Sequence, residues 1–452
     1  MAGGALLQIA FAGRASESFY VSRSPQMSRW RVAVRKTTPY SIETFRLEFE
    51  TKPVFSDTLP SVSRCRIRRH GDLLRNAVLT ITLPDVYSSL LERFRWVPWL
   101  GVYLLRRASL LVDSQEVDTF YPDFEQILRT ATEGARREAY DEMIGNVADV
   151  HAPRRARPLV TMVANRVNYT MYPDSTVLGE PSIRGRELLV PLGFFFSRDG
   201  DRAALPLIAM QLSEVFVEIE LRPLNHLFQL WDAGKGEYGG PDVFRTVESF
   251  VKTGTQYPLE LEASLTCEYV FLDDTERAAL VQAAQTDYVI STVAQAQLSG
   301  ITSANGTHIF RLNGTSRAIF WLFRRSDAFS RNTYPRFVRE DAGGETMRTC
   351  GIMFNGVVRE EEKPASFYGK TQPFLHVPTG RVPEGVYMYA FDPEPFAGGP
   401  SGTANLVTLD RVEFRVDLAM PDDPEVSYDM VVYSLDAAVF RVTSGQGGLV
   451  FA

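Results

Sequence analysis

The sequence predicts an all-β protein built from two sandwich or barrel domains. Three observations predict this fold class: apolar and polar residues alternate with a period of two, 32 glycines and 26 prolines supply frequent turns, and helical periodicity is confined to two stretches. A chain of 452 residues also exceeds what one hydrophobic core usually supports, so two domains are expected. The 45% hydrophobic content is enough to build both cores.

Four segments show the alternation most clearly, and each predicts an antiparallel strand with one face in water. They are residues 76–83, 214–222, 259–268 and 411–418. In residues 214–222 the apolar positions are Val215, Val217, Ile219 and Leu221, set against Glu218, Glu220 and Arg222. Strands of this kind pair into sheets that cover a core on one side only.

Two stretches predict short helices, and both are expected in loops between strands. Residues 121–145 have a helix-like spacing of apolar residues, with Gly134 as a break. Residues 273–285 open with Asp273 and place Glu276 three positions later, which is the order of an N-terminal capping box. Asp273 and the adjacent Asp274 are therefore interpreted as capping residues rather than as a catalytic pair.

The composition changes near the middle of the chain, where glycine and proline interrupt the strand pattern. The interrupting residues are Gly234, Gly236, Gly239, Gly240 and Pro241. We therefore divide the chain into an N-terminal arm (residues 1–24), a first domain (25–224), a linker (225–256) and a second domain (257–452). Each half has enough chain for one eight-stranded jelly roll, an antiparallel sandwich or barrel.

Charge and cysteine usage exclude several classes of protein. The net charge of −7 leaves no basic excess to neutralise phosphates, so direct nucleic-acid binding is not expected. Three widely spaced cysteines, Cys65, Cys267 and Cys350, predict neither a disulfide framework nor a Cys-x-x-Cys metal site, and they favour a reducing, intracellular compartment. The longest apolar runs are well short of the roughly 20 residues that span a bilayer, so a soluble protein is expected.

The N-terminal residues carry no strong targeting signal. Residues 5–12 are apolar, but the run is short and no lysine or arginine precedes it, so a secretory signal is not expected. Ala2 stands where N-myristoylation requires glycine. An arm that packs on a neighbouring subunit or on its own domain is the favoured interpretation.

Motifs along the whole chain resemble those of one viral family. Residues 4–8 (GALLQ), 20–26 and 32–40 resemble the N-terminal arm and first strand of major capsid proteins of nucleocytoplasmic large DNA viruses. Residues 140–147 (YDEMIGNV) and 400–405 (PSGTAN) are similar to two further motifs of that family. Other similar segments follow in the family's order: residues 67–84, 99–117, 187–195, 204–210, 215–224, 268–277 and 440–449.

The resemblance implies a structural role rather than a catalytic one. It implies a double jelly roll with two eight-stranded antiparallel domains and short helices in loops, and homotrimeric capsomers of pseudo-hexagonal outline that tile the icosahedral shell of a large double-stranded DNA virus. It further implies a place in the virion after assembly inside the host cell, with neighbouring capsomers and minor capsid, cement and penton proteins as partners and an internal viral membrane nearby. A scaffold of the same fold that shapes immature virions is an alternative.

Two regions depart from the family pattern. Arginines are concentrated at residues 64–69 and 154–157, where a solvated charge run is favoured over a surface for acidic neighbours. Residues 334–370 have little that aligns with the family. The departure leaves the outer loops of the second half without an interpretation.

Catalytic and metal-binding patterns are not found in the sequence. The five histidines are dispersed and form no pair at ligand spacing. Gly369, Lys370 and Thr371 are similar to the end of a P-loop, but Pro364 stands where the first glycine is required, so an exposed turn is predicted. No Gly-x-Ser-x-Gly motif is present. We therefore expect no enzyme activity, no metal and no cofactor.

Glycans enter the interpretation in two ways. Asn168, Asn305 and Asn313 begin N-glycosylation sequons, although the cysteine usage does not favour secretory passage. Jelly rolls also occur in lectins, so a glycan-binding double-barrel protein is a second functional hypothesis. Trp96 and Trp99, the aromatic pair that could line a glycan groove, lie in an apolar segment and are expected in the core.

Overall fold

The structure is a computed structural model of the full chain. It describes residues 37–87, 93–151, 181–232, 237–241, 246–251, 259–260, 262–339, 344–397, 402–421 and 423–450. Residues Met1–Tyr40 and Ser41–Ala452 are two compact units, and the fold described below is that of the second unit. The predicted N-terminal arm, residues 1–24, lies outside the described residues.

The first half of the chain contains thirteen strands among the described residues. They are β1 (Tyr40–Glu48), β2 (Val54–Phe55), β3 (Ser61–Ile67), β4 (Leu73–Thr82), β5 (Phe94–Trp96), β6 (Leu105–Val112), β7 (Gln115–Phe120), β8 (Glu187–Pro191), β9 (Val215–Leu221), β10 (Phe228–Asp232), β11 (Glu237–Gly239), β12 (Leu259–Glu260) and β13 (Ala263–Leu272). The predicted strands at residues 76–83 and 214–222 are confirmed as β4 and β9. Burial alternates along both, since the inward residues lie in a core and the outward residues meet water.

Two four-stranded sheets form the first jelly roll. Sheet A has the order β1-β13-β4-β8, and sheet B has the order β3-β9-β6-β7. In sheet A, β4 pairs antiparallel with β13 and β8, and in sheet B, β9 pairs antiparallel with β3 and β6, as β6 does with β7. Leu79 and Leu265 of sheet A share one hydrophobic core with Leu110 and Val217 of sheet B. The sheets therefore bury one face each against the other, as a jelly roll requires.

The second half repeats this arrangement, with ten strands in the part that the structure describes. They are β14 (Gln285–Ile301), β15 (Asn305–Phe310), β16 (Thr315–Arg325), β17 (Met347–Phe354), β18 (Val357–Pro364), β19 (Val386–Ala390), β20 (Ala404–Asn405), β21 (Val412–Leu418), β22 (Tyr428–Thr443) and β23 (Gln446–Leu449). Sheet C has the order β14-β22-β16-β19, and sheet D has the order β15-β21-β17-β18. Trp321 of sheet C packs on Phe414 of sheet D, with ring centroids 5.3 Å apart. The second jelly roll thus has its own core.

The two rolls have the same strand order, so the chain is a double jelly roll. In each roll we count only the eight strands of its two sheets, in chain order: β1, β3, β4, β6, β7, β8, β9 and β13 in the first, and β14, β15, β16, β17, β18, β19, β21 and β22 in the second. In each, the first strand pairs with the last, and the third and sixth strands complete that sheet. The second, seventh, fourth and fifth strands form the facing sheet in the same way. The predicted all-β double jelly roll is confirmed, including its antiparallel pairing.

The predicted boundary between the halves differs from the observed strand pairing. We expected residues 257–452 to form the second domain, but β13 pairs along its length with β4 in sheet A. The glycine-rich segment predicted to be a linker, residues 225–256, lies in the chain between β9 of sheet B and β13 of sheet A. It is therefore within the first roll rather than between the two rolls. Alternation predicts a strand without saying which sheet it joins. We propose that the boundary lies at Asp273, where β13 has ended.

Short helices occupy the connections between strands. They are α1 (Leu100–Tyr103), α2 (Pro122–Thr132), α3 (Arg137–Met143), α4 (Ala148–His151), α5 (Phe195–Arg198), α6 (Asp274–Gln282) and α7 (Gln372–His376). Shorter turns of 3-10 helix span Asp201–Ala203, Leu224–His226 and Val247–Phe250, and Phe367–Thr371 is a π-helical turn. The predicted helix at residue 273 is confirmed as α6, and the Asp273 side chain accepts a hydrogen bond from the Thr275 amide.

Candidate assembly surfaces

Helix α2 joins the two jelly rolls. It leaves the first roll after β7 and places Phe124, Ile127 and Leu128 in one buried cluster with residues of the outer face of sheet C. The Phe124 ring lies 5.8 Å from that of Phe320 and 6.0 Å from that of Tyr433, measured between centroids. Sheet C is therefore buried on both faces, by sheet D on one side and by α2 on the other.

A buried ion pair lies beside this apolar contact. Arg324 of β16 and Asp123 of α2 are 2.8 Å apart, and both side chains are less than a tenth exposed. The hydroxyl groups of Tyr103 and Tyr433 each donate to the Asp123 carboxylate at 2.9 Å. Arg324 also donates to the backbone carbonyl of Tyr334. The pair and its hydrogen bonds connect a helix of the first roll to two strands of the second.

The surroundings of Asp123 keep it ionised. Burial opposes the charge, but Arg324 and the hydrogen bonds from Arg324 and Tyr433 outweigh that effect, so the pKa of Asp123 is lower than its ordinary value. Burial and the nearby Asp123 carboxylate raise the pKa of Tyr103 and Tyr433 well above the ordinary value. All four groups therefore keep one protonation state near neutral pH.

Helix α5 makes a second polar link between the rolls. The Arg198 guanidinium lies 3.2 Å from the Asp118 carboxylate, and both side chains are buried. Arg198 also donates to the backbone carbonyl of Ser291 in β14, and Asp199 accepts from the Ser291 amide. Burial raises the pKa of Asp118 to about 6, although Arg198 and the Phe195 amide act in the opposite direction.

A turn after β16 makes a third link. The Asn332 amide donates to the backbone carbonyls of Asn225 and Phe228, at 2.7 and 2.6 Å. The Tyr334 hydroxyl donates to the carbonyl of His226 at 2.8 Å. Asn332 has a φ of 55°, in the left-handed region that asparagine tolerates better than most residues. These links, among others in the described residues, hold the two rolls together as one building block.

Exposed apolar side chains mark candidate surfaces for assembly. Within the described part of the compact unit, large apolar residues exposed by more than a third are Ile42, Leu59, Val62, Leu212, Val281, Val289, Ile309, Val357, Val358, Phe374, Leu375 and Val407. Two adjacent pairs stand out: Val357 and Val358 begin β18, and Phe374 and Leu375 lie on α7. Grouped apolar exposure of this kind is typical of protein interfaces.

The first arginine cluster lies mainly on strand β3, where its half-exposed side chains bind to their own sheet. Arg64 and Arg66 of β3 form ion pairs with Glu218 and Glu214, on and beside the paired strand β9, and Arg69 donates to backbone carbonyls of the same region. These side chains are thus engaged within the chain. The second arginine cluster, at residues 154–157, lies outside the described residues.

The sequon asparagines are only partly within the described chain. Asn305 begins β15 and Asn313 lies in the loop before β16, and both residues are exposed. Asn168 lies outside the described residues. Glycosylation at the three positions stays a prediction.

The structure agrees with the predicted positions of two sequence features, the pair Trp96 and Trp99 and the Gly-Lys-Thr segment. Trp96 and Trp99 are buried in the first core, which confirms their expected packing role. Gly369, Lys370 and Thr371 belong to the π-helical turn before α7 and follow no strand directly, so the structure has no P-loop here. The aromatic pair expected in the core is therefore not available to line a glycan groove.

The described residues also limit the chemistry available elsewhere. Within the ranges given above, no three His, Cys, Asp or Glu side chains come together in a way that could hold a metal ion. Cys65, Cys267 and Cys350 are buried and unpaired, and burial raises the pKa of the Cys65 thiol to about 11. Among the same residues, no helix has the length and apolar character needed to cross a membrane.

Asp436 of β22 makes the stability of the second roll depend on pH, which can be tested. Burial raises its pKa from 3.8 to about 6, although a hydrogen bond from Ser434 lowers it. Because the folded chain holds this proton more tightly, the stability contributed by Asp436 is fully present at acid pH and is lost as the pH rises through 6. We expect Asp436→Asn to recover on the order of 2–3 kcal/mol at pH 8.

The expected result is a difference between variant and wild type that grows with pH. Unfolding temperatures measured at pH 4 and pH 8 would show Asp436→Asn gaining on the wild type mainly at pH 8, because most of the loss falls between these two values. Asp287→Asn is a matched control, because Asp287 is exposed and paired with Arg441. A constant difference across the pH range would contradict the prediction.

Both halves of the chain match family models of viral capsid proteins. Residues 28–273 match the family model for the major capsid protein N-terminus, and residues 276–448 match that for the large eukaryotic DNA virus major capsid protein. The major capsid proteins of Phaeocystis pouchetii virus and Pyramimonas orientalis virus are each 24% identical to the chain, with all of both chains covered. Both matches therefore extend from end to end of this chain and of the relative.

Solved structures share the fold at low sequence identity. The quasi-atomic model of the PBCV-1 virus capsid superposes with a TM-score of 0.68 at 19% identity, covering 94% of this chain and 100% of that one. The Faustovirus major capsid protein gives a TM-score of 0.69 at 11% identity, covering 98% of each. With both halves of the chain matched by the family models, this protein belongs to the major capsid protein family of large eukaryotic DNA viruses.

Proposed function

We propose that this protein is the structural subunit of the outer shell of a large double-stranded DNA virus, and that three copies form a capsomer of pseudo-hexagonal outline. The observation that carries the proposal is the double jelly roll itself. Two rolls of equal strand order lie in tandem in one chain, so a ring of three copies contains six similar units. A six-sided block can tile a near-hexagonal lattice with similar contacts along every edge.

A three-fold ring also suits the exposed apolar surface. In a ring, each copy uses one patch to bind the next copy and a different patch to receive the previous one. Permanent interfaces of this kind bury large apolar areas. The exposed pairs Val357 with Val358 and Phe374 with Leu375 supply apolar groups that a permanent interface would cover.

The proposal places this chain in the virion without a catalytic task. Neighbouring capsomers, minor capsid, cement and penton proteins are the proposed partners, with an internal viral membrane nearby. The net charge of −7 supports contact with proteins rather than with packaged nucleic acid. Its role would be to assemble into capsomers and to set the geometry of the shell that they tile.

The mass of the purified protein in solution tests the proposal. Light scattering coupled to size exclusion is expected to give three times 50.8 kDa, or about 152 kDa, at all concentrations above the micromolar range. A persistent species of 50.8 kDa would contradict a self-assembling capsomer. A dimer would contradict the three-fold symmetry.

A further inference from the structure

Each jelly roll carries a helix between its fifth and sixth strands. In the first roll this helix is α2, between β7 and β8, and in the second it is α7, between β18 and β19. Both helices have proline in the first turn and phenylalanine close behind: Pro122 with Phe124, and Pro373 with Phe374. The two helices therefore occupy equivalent positions in the two rolls.

The equivalent helices differ in what covers them. Phe124 is 2% exposed because it packs on the outer face of sheet C. Phe374 is 76% exposed and Leu375 is 60% exposed. The second helix thus presents to solvent the kind of side chain that the first helix buries. Such exposure is unfavourable unless another surface covers it.

The two sheets that could receive these helices differ in the same way. On the outer face of sheet C, Phe320 of β16 pairs with Tyr433 of β22 and with Met388 of β19, and all three are buried under or beside α2. The equivalent strand of sheet A is β4. Its outward residues include Val78 and Thr80, which are only half-buried.

Neighbouring strands extend this open face of sheet A. Thr80 pairs with Leu189 of β8, and Val78 pairs with Thr266 of β13. Leu189 and Thr266 are half-buried, while the residues that alternate with them are core residues. The outer face of sheet A therefore consists of half-buried aliphatic and threonine side chains. The equivalent face of sheet C is buried under α2.

We propose that α7 of one copy packs on the outer face of sheet A in the next copy, in the way that α2 packs on sheet C within one chain. This inference rests on the proposed function and names the surface through which the ring forms. Within the described residues, the exposed helix α7 and the half-buried outer face of sheet A are the two halves of a contact that the chain already makes once. Repeating it from copy to copy places the six rolls in one ring.

The position of α7 supports this assignment. The residue Thr379, which follows α7, donates from its amide to the carbonyl of Ala131 at 3.1 Å and from its hydroxyl to the carbonyl of Thr130 at 2.8 Å. Both acceptors lie at the end of α2. The exposed face of α7 thus adjoins the contact between the rolls, so an interface on α7 would extend an existing one.

A charge placed on α7 tests the proposal. Phe374→Asp is expected to reduce the mass in solution threefold, from trimer to monomer, with an unchanged far-ultraviolet circular dichroism spectrum. Val407→Asp is a matched control, because Val407 is also a largely exposed apolar residue but lies in the loop before β21. The control is expected to keep the mass of the wild type.

The outcomes separate this inference from the proposed function. A trimeric wild type together with a trimeric Phe374→Asp variant would overturn the inference and leave the proposed function standing. A monomeric wild type would overturn the proposed function, and the inference would fall with it. A trimeric wild type with a folded, monomeric variant supports both.

Cross-linking gives a second test that does not depend on disrupting the protein. A double variant with Phe374→Cys and Thr80→Cys is expected to form covalent trimers on oxidation, seen on non-reducing gels. The native cysteines are buried and should not contribute. A pair with Val407→Cys and Thr80→Cys should remain monomeric on the gel. Equal cross-linking of the two pairs, or none in the first, would overturn the proposed contact.

Discussion

Replacing Arg324 with methionine is expected to lower the free energy of unfolding by about 3–5 kcal/mol. The substitution keeps much of the aliphatic volume but removes the only cation within hydrogen-bond distance of Asp123 in the part of the chain that the structure describes. Asp123 would then be a buried carboxylate that keeps, among the described residues, its hydrogen bonds from two tyrosine hydroxyls and the more distant charge of Arg222. The measurement is the guanidinium unfolding midpoint at one fixed protein concentration.

Two further variants separate the buried pair from a general effect of losing arginine. Arg441→Met breaks the pair with Asp287, in which both side chains are about two-fifths exposed, and is expected to have a much smaller effect because solvent screens the pair. The double variant Asp123→Leu with Arg324→Met should recover much of the loss, because no uncompensated charge remains. Similar midpoints for Arg324→Met and Arg441→Met would contradict the prediction.

Much of the fold could be predicted from the sequence because most sheets keep one face in water. That condition produces the alternation seen at residues 214–222, which form β9. The capped helix at Asp273 was also predictable, since a capping side chain acts within a few residues. Features that depend on local geometry therefore appear in the sequence directly.

Pairing between distant segments could not be predicted in the same way. Strand β13 alternates as expected, yet only its register with β4 assigns it to the first roll. Asp123 and Arg324 are 201 positions apart, and no local sequence pattern around either residue predicts that they form a pair. One signal was present: β16 is apolar on both faces, as residues 318–323 show, which indicates a sheet covered on both sides. The sequence did not indicate that α2 is the element that packs on the outer face of sheet C.

Replacing Phe124 with alanine is expected to destabilise the protein by about 3–5 kcal/mol. Its ring is enclosed by Phe320 and Tyr433, and the surrounding residues belong to two different rolls. A cavity left there cannot close easily, because collapse would require sheet C and α2 to move together. The guanidinium midpoint, again at one protein concentration, measures the effect.

Phe216→Ala is the appropriate control for Phe124→Ala, because it removes the same type of side chain from the solvent-facing side of β9. Phe216 is only half-buried and its main polar neighbour is the Arg64 guanidinium, 4.9 Å from the ring centroid, so a loss of about 1 kcal/mol is expected. If the two variants unfold at the same midpoint, α2 would not stabilise the joined rolls. A larger loss for Phe124→Ala would show that the contact within one chain is strong, which is the property that its repetition between copies requires.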